Sequence, residues 1–221
     1  MRKLYVSNKD ESVRLFKSNF LELFTKVHYS VPLIIYLPVI GYFIYLTAVV
    51  KLGWLNGILL FAAGIIAWSF AEYFLHRYVF HYEPTSEWGQ RIHFLMHGVH
   101  HDYPNDSMRL VMPPSVSIPL AFIFYYLFQW LFPGYMHYPF FAGFVLGYVI
   151  YDMMHYAIHH VNFNAKWWMS LKAHHLKHHF KDPEKGYGVS SKVWDVLIGS
   201  DFKKANEKKS IERKAVDTTP S

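Results

Sequence analysis

The stretch from Lys172 to Phe180 reads KAHHLKHHF and holds four histidines within six residues. In a helix, His175, His178 and His179 lie at positions i, i+3 and i+4, so their imidazoles leave one face. Neutral imidazole is the commonest nitrogen ligand for metal ions in proteins. By itself the stretch is also compatible with a solvated basic turn. Other parts of the chain must therefore decide between a turn and a metal site.

Histidines recur at metal-ligand spacing in three other places. One stretch repeats the H-x-x-H-H pattern, a second has an i, i+4 pair, and a third has two histidines five residues apart. His76 and His81, the widest pair, are separated by about 140° around an ideal helix. They can share a face only where the helix end unwinds, and they could also serve different ions. The ten candidate metal ligands are His76, His81, His97, His100, His101, His155, His159, His175, His178 and His179.

Ten imidazoles exceed the needs of one ion, because an ion takes about four to six ligands. Two ions with open coordination positions are therefore predicted. The chain of 221 residues has no cysteine, which excludes disulfides, iron–sulfur clusters, zinc ribbons and cysteine nucleophiles. Ligation by nitrogen without thiolate suits iron, zinc, copper or nickel. Hydrolytic zinc sites usually need only three protein ligands, so two histidine-rich ions favour iron that activates O2.

Four apolar runs predict membrane-spanning helices. They cover residues 31–50, 54–75, 116–132 and 138–158, and about 20 apolar residues suffice to cross a bilayer. Short turns join the first two runs and the last two, so each pair should form a helical hairpin. The predicted fold is an all-α integral membrane protein with four transmembrane helices in two hairpins and a cytoplasmic helical cap that holds a histidine-rich dimetal site.

The net charge of +6 follows this membrane topology and does not indicate nucleic-acid binding. Of the 22 Lys and Arg residues, 21 fall on one side of the predicted membrane, and Lys51 is the exception. The positive-inside rule makes that side the cytoplasm. All ten candidate ligands fall there too, so the metal site is expected on the cytoplasmic face.

The regions on either side of the spans are expected to differ from the membrane domain. Residues 1–30 show apolar side chains at helical spacing from 13 to 27, which predicts a basic amphipathic helix that either lies on the membrane or packs against the protein. The membrane domain is predicted to cover residues 31–202. Residues 203–221 are rich in Lys, Glu, Ser and Thr, which predicts a disordered tail.

Three carboxylates lie close to the predicted site. Asp152 comes one helical turn before His155, Asp102 directly follows His101, and Glu72 lies near the end of the second span. Charged residues within a span are costly and need a partner. Either Asp152 or Asp102 could accept a ring N–H and fix a histidine tautomer, and Asp102 could equally be an ordinary loop charge.

The four histidine clusters, in this order, resemble those of the membrane fatty acid hydroxylase superfamily. The sequences SLKAHH at 170–175, GYGVS at 186–190 and KVWD at 192–195 resemble its fatty acid 2-hydroxylase branch in particular. The resemblance covers roughly residues 30–200. It implies that the ten histidines bind two iron ions, which zinc could replace after purification, and that His93, His160 and His174 are not ligands.

The same resemblance implies an enzyme that uses O2 and two electrons to hydroxylate C2 of a lipid acyl chain, either in a long-chain fatty acid or in a sphingolipid. Aromatic side chains at Phe74, Tyr78, Tyr148 and Tyr151 could line the acyl slot, or could be ordinary helix contacts. Some members of the superfamily carry a cytochrome b5-like domain before the spans, which residues 1–30 are too few to form. A separate donor, cytochrome b5-like or ferredoxin-like, is therefore expected, and a bacterial inner membrane is favoured over the endoplasmic reticulum. The basic face could dock this donor or attract anionic lipid.

Several other functions are compatible with parts of this pattern. A sterol desaturase, a methyl-sterol oxidase or a carotenoid hydroxylase of the same superfamily would use the same ligands. A divalent-metal transporter would place ionisable residues near the bilayer centre, whereas the first and third runs have none. A bis-histidine haem protein would need histidines paired across spans, and only His155 and His159 lie within a span.

Overall fold

The structure is a computed structural model that describes residues 4–202. All regular secondary structure in this part of the chain is helical. The α-helices, in chain order, are α1 (Asn19–Leu23), α2 (Ser30–Val49), α3 (Trp54–Leu75), α4 (Glu87–His93), α5 (Val99–Asp102), α6 (Pro114–Leu131), α7 (His137–His160), α8 (Lys166–Phe180) and α9 (Val193–Ile198). Two π-helical turns, His76–Phe80 and Phe94–Gly98, continue α3 and α4. The predicted tail at 203–221 lies outside the described residues.

Within residues 4–202, four helices are long and apolar enough to cross a membrane: Ser30–Val49, Trp54–Phe80, Pro114–Leu131 and His137–His160. They agree with the four predicted runs and confirm the all-α, multi-pass membrane class. Four residues join α2 to α3, and five join α6 to α7. Both turns include a glycine at positive φ, where a side chain would be strained.

Helix α7 lies at the centre of the bundle. In its most apolar 18-residue stretch 67% of the residues are buried, against 11% to 22% in the other three spans. Glycines let α3 and α7 approach closely, as is common between membrane helices. A Cβ atom at Gly64 would lie 2.1 Å from the Phe140 carbonyl oxygen, and one at Gly143 would lie 1.9 Å from that of Phe61. This close contact fixes α3 and α7 relative to each other.

The predicted amphipathic helix near the amino terminus is wrong in extent, because only α1 forms within residues 13–27. Tertiary contacts replace helical hydrogen bonds in this segment. The Glu22 carboxylate accepts the backbone N–H groups of Leu15 and Phe16, both at 2.9 Å. The Arg109 guanidinium donates to the Val13 carbonyl oxygen at 2.6 Å and to Glu22 at 3.1 Å. Backbone groups satisfied in this way do not need a helix.

Candidate metal centre

The ten predicted ligands converge into two groups of five. In each group every side chain offers a nitrogen that lies within 4.8 Å of the corresponding nitrogens of the other four. The first histidine group consists of His76, His81, His97, His101 and His178. The second histidine group consists of His100, His155, His159, His175 and His179. His93, His160 and His174 belong to neither group.

A π-helical turn brings His76 and His81 together at the end of α3. The His81 backbone N–H donates to the His76 carbonyl oxygen at 3.1 Å, an i→i+5 bond that widens the helix. The two ring centroids are 5.0 Å apart. This π-helical turn is the unwinding of the helix end that the spacing of His76 and His81 predicts. Both side chains face the first histidine group, contrary to the alternative that they serve different ions.

Each H-x-x-H-H motif is divided between the two groups. His97 and His101 contribute to the first group, while His100 contributes to the second. In α8 the first and last histidines of the motif belong to the second group, and His178 belongs to the first. The groups are in contact, since the rings of His101 and His179 have centroids 4.4 Å apart. The histidines of each motif therefore contribute to both groups, and neither H-x-x-H-H motif serves one group alone.

Backbone carbonyl groups orient three of these histidines. The Nδ1 of His76 donates to the Tyr187 carbonyl at 2.5 Å, and that of His178 donates to the Lys185 carbonyl at 2.8 Å. In the second group, the His155 Nδ1 donates to the Leu110 carbonyl at 2.9 Å. A neutral imidazole that donates from Nδ1 has a lone pair at Nε2. Hydrogen bonds of this kind fix the tautomer of metal-binding histidines.

The nitrogens that face one another are of the type that a metal ion binds. The Nε2 atoms of His155 and His100 are 2.9 Å apart, and those of His81 and His178 are 3.0 Å apart. In the first group His76 and His178 both direct an Nε2 lone pair toward the other three rings. Nitrogen lone pairs that converge in this way repel one another unless an electron-pair acceptor lies between them. Each group therefore fits a metal ion held by imidazoles.

The histidines that lie outside the spans are kept neutral by burial. Burial, followed by repulsion from neighbouring histidines, lowers the pKa of His101 and of His178 to about 3 in each case. The pKa of His97, His100, His175 and His179 is lowered in the same direction for the same reasons. Neutral imidazole is the form that binds metal.

Asp152 and Asp102 do not accept the ring N–H groups that the sequence suggested for them. The Asp152 carboxylate accepts the Met112 backbone N–H at 3.4 Å, and the ring N–H of His155 goes to a carbonyl instead. In the described part of the chain no hydrogen bond joins the Asp102 carboxylate to His101. Glu72 accepts backbone N–H groups of Val189 and Ser190. The orienting groups are thus mostly backbone carbonyls, which carry no signal in the sequence.

A cavity of about 320 Å³ opens beside the histidines. His97, His100 and His155 line it together with apolar side chains that include Leu95 and Val116. Among the four aromatic residues suggested for an acyl slot, Tyr151 lines this cavity and Tyr148 lines a smaller apolar one of about 20 Å³. Phe74 and Tyr78 line neither cavity and are about half exposed on the outer surface of the bundle. Of the four aromatic residues, only Tyr151 therefore lies where it could line an acyl slot beside the histidines.

Comparison with known proteins gives the chain a family. The model of the family described as fatty acid hydroxylase matches residues 61–200. A dihydroceramide fatty acyl 2-hydroxylase of Arabidopsis thaliana, FAH1, is 38% identical over 191 residues, which cover 86% of this chain and 80% of the relative. A fatty acid 2-hydroxylase of Homo sapiens is 38% identical over 207 residues, which cover 83% of this chain and 55% of the relative.

A solved structure is similar over most of the fold. It is described as full-length scs7p with only the hydroxylase domain visible, and it matches with a TM-score of 0.80 and 39% identity over 84% of this chain and 70% of that chain. The two relatives named above are eukaryotic and give no support to the expectation of a bacterial membrane. The resemblance stated from the histidine clusters is confirmed: the chain belongs to the fatty acid hydroxylase family.

Proposed function

We propose that this enzyme hydroxylates C2 of a lipid acyl chain, carried by a free fatty acid or a sphingolipid, in a reaction that consumes O2. The observation that carries the proposal is the pair of all-histidine groups at the wall of an apolar cavity. The named relatives are 2-hydroxylases, which favours this reaction over sterol or carotenoid oxidation. Family membership argues against the metal-transporter and haem alternatives.

The metal ligands in this proposal are the ten histidines of the two groups, with one iron ion in each. When bound, the ions supply the redox chemistry by which O2, two electrons and two protons convert a C–H bond to C–OH and release water. The histidines hold the ions in buried positions, and the carbonyls of Leu110, Lys185 and Tyr187 keep three of the rings in the required tautomer. Zinc could take these positions during purification, because imidazole binds it as well.

The cavity supports the assignment of a lipid substrate. Apolar side chains from the amino-terminal segment, including Phe16 and Phe24, line it together with His100 and His155. An acyl chain that lies against the apolar side chains would present one of its carbons to the metal centre. Most of the lining is apolar, so this binding would remove hydrocarbon from water and fix its position.

The distribution of Lys and Arg residues bears on the membrane orientation of the enzyme and on its electron donor. We place the metal centre on the cytoplasmic side, because 21 of the 22 basic residues lie on the same side of the spans as the ten histidines. This basic surface suits an acidic electron donor of the cytochrome b5-like or ferredoxin-like kind. Anionic headgroups of the surrounding membrane would compete for the same charges.

The proposal is tested by mass spectrometry of 2-hydroxy lipids in cells that express the wild type or His178→Ala. We expect hydroxylated product with the wild type and none with the variant. The matched control is His93→Ala, which alters a histidine outside both groups and should keep the product. Equal product from the wild type and His178→Ala, at equal amounts of folded protein, would defeat the assignment.

A further inference from the structure

A loop after α8 holds two rings of the first histidine group. We call residues 185–190 the orienting loop. Its Lys185 carbonyl accepts the Nδ1 proton of His178, and its Tyr187 carbonyl accepts that of His76. The corresponding bond in the second histidine group goes to Leu110, far from this loop in the chain. The orienting loop therefore acts on the first group.

A buried carboxylate fixes the middle of this loop. Asp195, on α9, is 0% exposed. Its Oδ1 accepts the Tyr187 backbone N–H at 3.0 Å and the Ser200 hydroxyl at 2.7 Å. Its Oδ2 accepts the Gly188 N–H at 2.8 Å and lies 3.1 Å from the His174 Nε2. The residue whose carbonyl orients His76 is thus held through its own N–H.

A second buried carboxylate fixes the end of the loop. Glu72, only 3% exposed, accepts the N–H groups of Val189 and Ser190 at its Oε1, at 2.7 and 2.8 Å. Its Oε2 accepts the Ser190 hydroxyl. Glu72 lies on α3, four residues before His76 at the start of the π-helical turn that continues this helix. The same helix therefore carries a candidate ligand and an anchor for the loop that orients this ligand.

The loop depends on these anchors because it has no helical or strand partners of its own. Gly186 has φ +74°, and a Cβ atom at Gly188 would lie 2.0 Å from the Ser191 carbonyl oxygen. Four of its backbone N–H groups, at residues 187–190, are satisfied by the two carboxylates. Neither carboxylate belongs to a histidine group. Loss of either anchor would leave buried N–H groups of the loop without acceptors, so we expect the loop to lose its order.

We propose that Glu72 and Asp195 are positioning residues for the first histidine group: they hold the orienting loop, whose carbonyls fix the tautomer and ring orientation of His76 and His178. This inference rests on the two-metal centre of the proposed function. Loss of an anchor should weaken metal binding by about 10- to 100-fold in the first group, the range known for groups that orient metal ligands. The second group should keep its ion.

The test measures metal ions per chain by inductively coupled plasma mass spectrometry, on folded protein in detergent and during titration with a chelator. Glu72→Ala and Asp195→Asn should fall from about two ions to about one. Asparagine replaces one acceptor oxygen by an NH2 group, which cannot accept from a backbone N–H. Glu72→Gln is the matched control, because its remaining oxygen accepts both N–H groups and its NH2 can donate to Ser190. It should keep both ions.

Double variants separate positioning from general destabilisation. Asp195→Asn combined with His178→Ala should retain as much metal as His178→Ala alone, because both act on the first group. Combined with His159→Ala, which acts on the second group, Asp195→Asn should lose both ions. Asp195→Asn that binds two ions as tightly as the wild type, or that loses both groups equally, would overturn the proposal.

Two further outcomes have distinct meanings. If Asp195→Asn does not yield folded protein, the comparison of Glu72→Ala with Glu72→Gln decides by the same readout, and equal metal content in the two overturns the positioning role. A wild-type protein that binds no metal would overturn the proposed function itself. Two ions in the wild type and in every anchor variant would overturn the positioning role alone.

Discussion

His100 and His101 are adjacent in the chain, yet their imidazoles belong to different histidine groups, with ring centroids 6.0 Å apart. Consecutive residues on a helix differ by about 100° in direction, so neighbours can face different sites. His178 and His179 in α8 are divided in the same way, with centroids 5.5 Å apart. Two short helical stretches therefore form the shared wall of both groups.

Neighbouring histidines should differ sharply in their effect on metal binding. His159 contacts His175 through Nε2 atoms 3.2 Å apart, whereas His160 stacks on Tyr156 outside both groups. We expect His159→Ala to lose about one ion per chain and all hydroxylation, because it removes one of the five ligands that hold the ion of the second group. His160→Ala should retain both ions and the hydroxylation activity. Metal analysis and lipid mass spectrometry on the two variants check this, and equal losses would contradict the division into groups.

Close packing of α3 and α7 should be sensitive to one added methyl group. A Cβ atom at Gly143 would overlap the Phe61 carbonyl group, so we expect Gly143→Ala to destabilise the fold by about 1–3 kcal/mol. Gly41 has nothing within 4 Å of its Cβ position. Gly41→Ala should therefore be neutral or stabilising by up to about 1 kcal/mol. Thermal unfolding in detergent compares them, and equal midpoints would argue against the contact.

Acid should destabilise the metal-free protein. The pKa of His101 and His178 is about 3 in the folded state, below the ordinary value of 6.5 that applies after unfolding. The unfolded chain therefore binds more protons below pH 6.5, and stability that is present above this pH is lost as the pH falls toward 3. The loss is at most about 1.4 kcal/mol per histidine and pH unit.

Thermal unfolding of chelator-treated protein between pH 8 and pH 5 measures this dependence. His101→Phe removes one buried histidine and should make the dependence shallower. A melting temperature that does not change between pH 7 and pH 5 would contradict the expected proton uptake.

Filling the cavity should block the substrate without affecting the metal. Val116 on α6 lines the 320 Å³ cavity, and Val116→Trp should lower hydroxylation at least about tenfold, because a near-attack geometry is lost when the acyl chain is displaced. Ile123, on the same helix, is 63% exposed on the outer surface. Ile123→Trp is therefore the control and should keep activity. Metal content should stay unchanged in both, and full activity of Val116→Trp would place the acyl chain elsewhere.

The sequence by itself determined the four spans and the set of ten histidines. Apolar runs long enough to cross a bilayer leave little choice, because backbone groups in lipid must be satisfied within a helix. Cluster spacing likewise singled out the histidines that converge, and the family resemblance left aside His93, His160 and His174. These features are local, since they depend on helical periodicity and on residue type.

The tertiary structure alone decided how those residues are used. The division of each H-x-x-H-H motif depends on where α8 and the stretch before Asp102 lie between the ends of α3 and α7, which spacing along one helix does not contain. Tertiary hydrogen bonds to Arg109 and Glu22 also replaced the expected amino-terminal helix. The groups that orient His76, His155 and His178 are backbone carbonyls. Every residue has a carbonyl, so only the folded chain determines which of them meets a histidine ring.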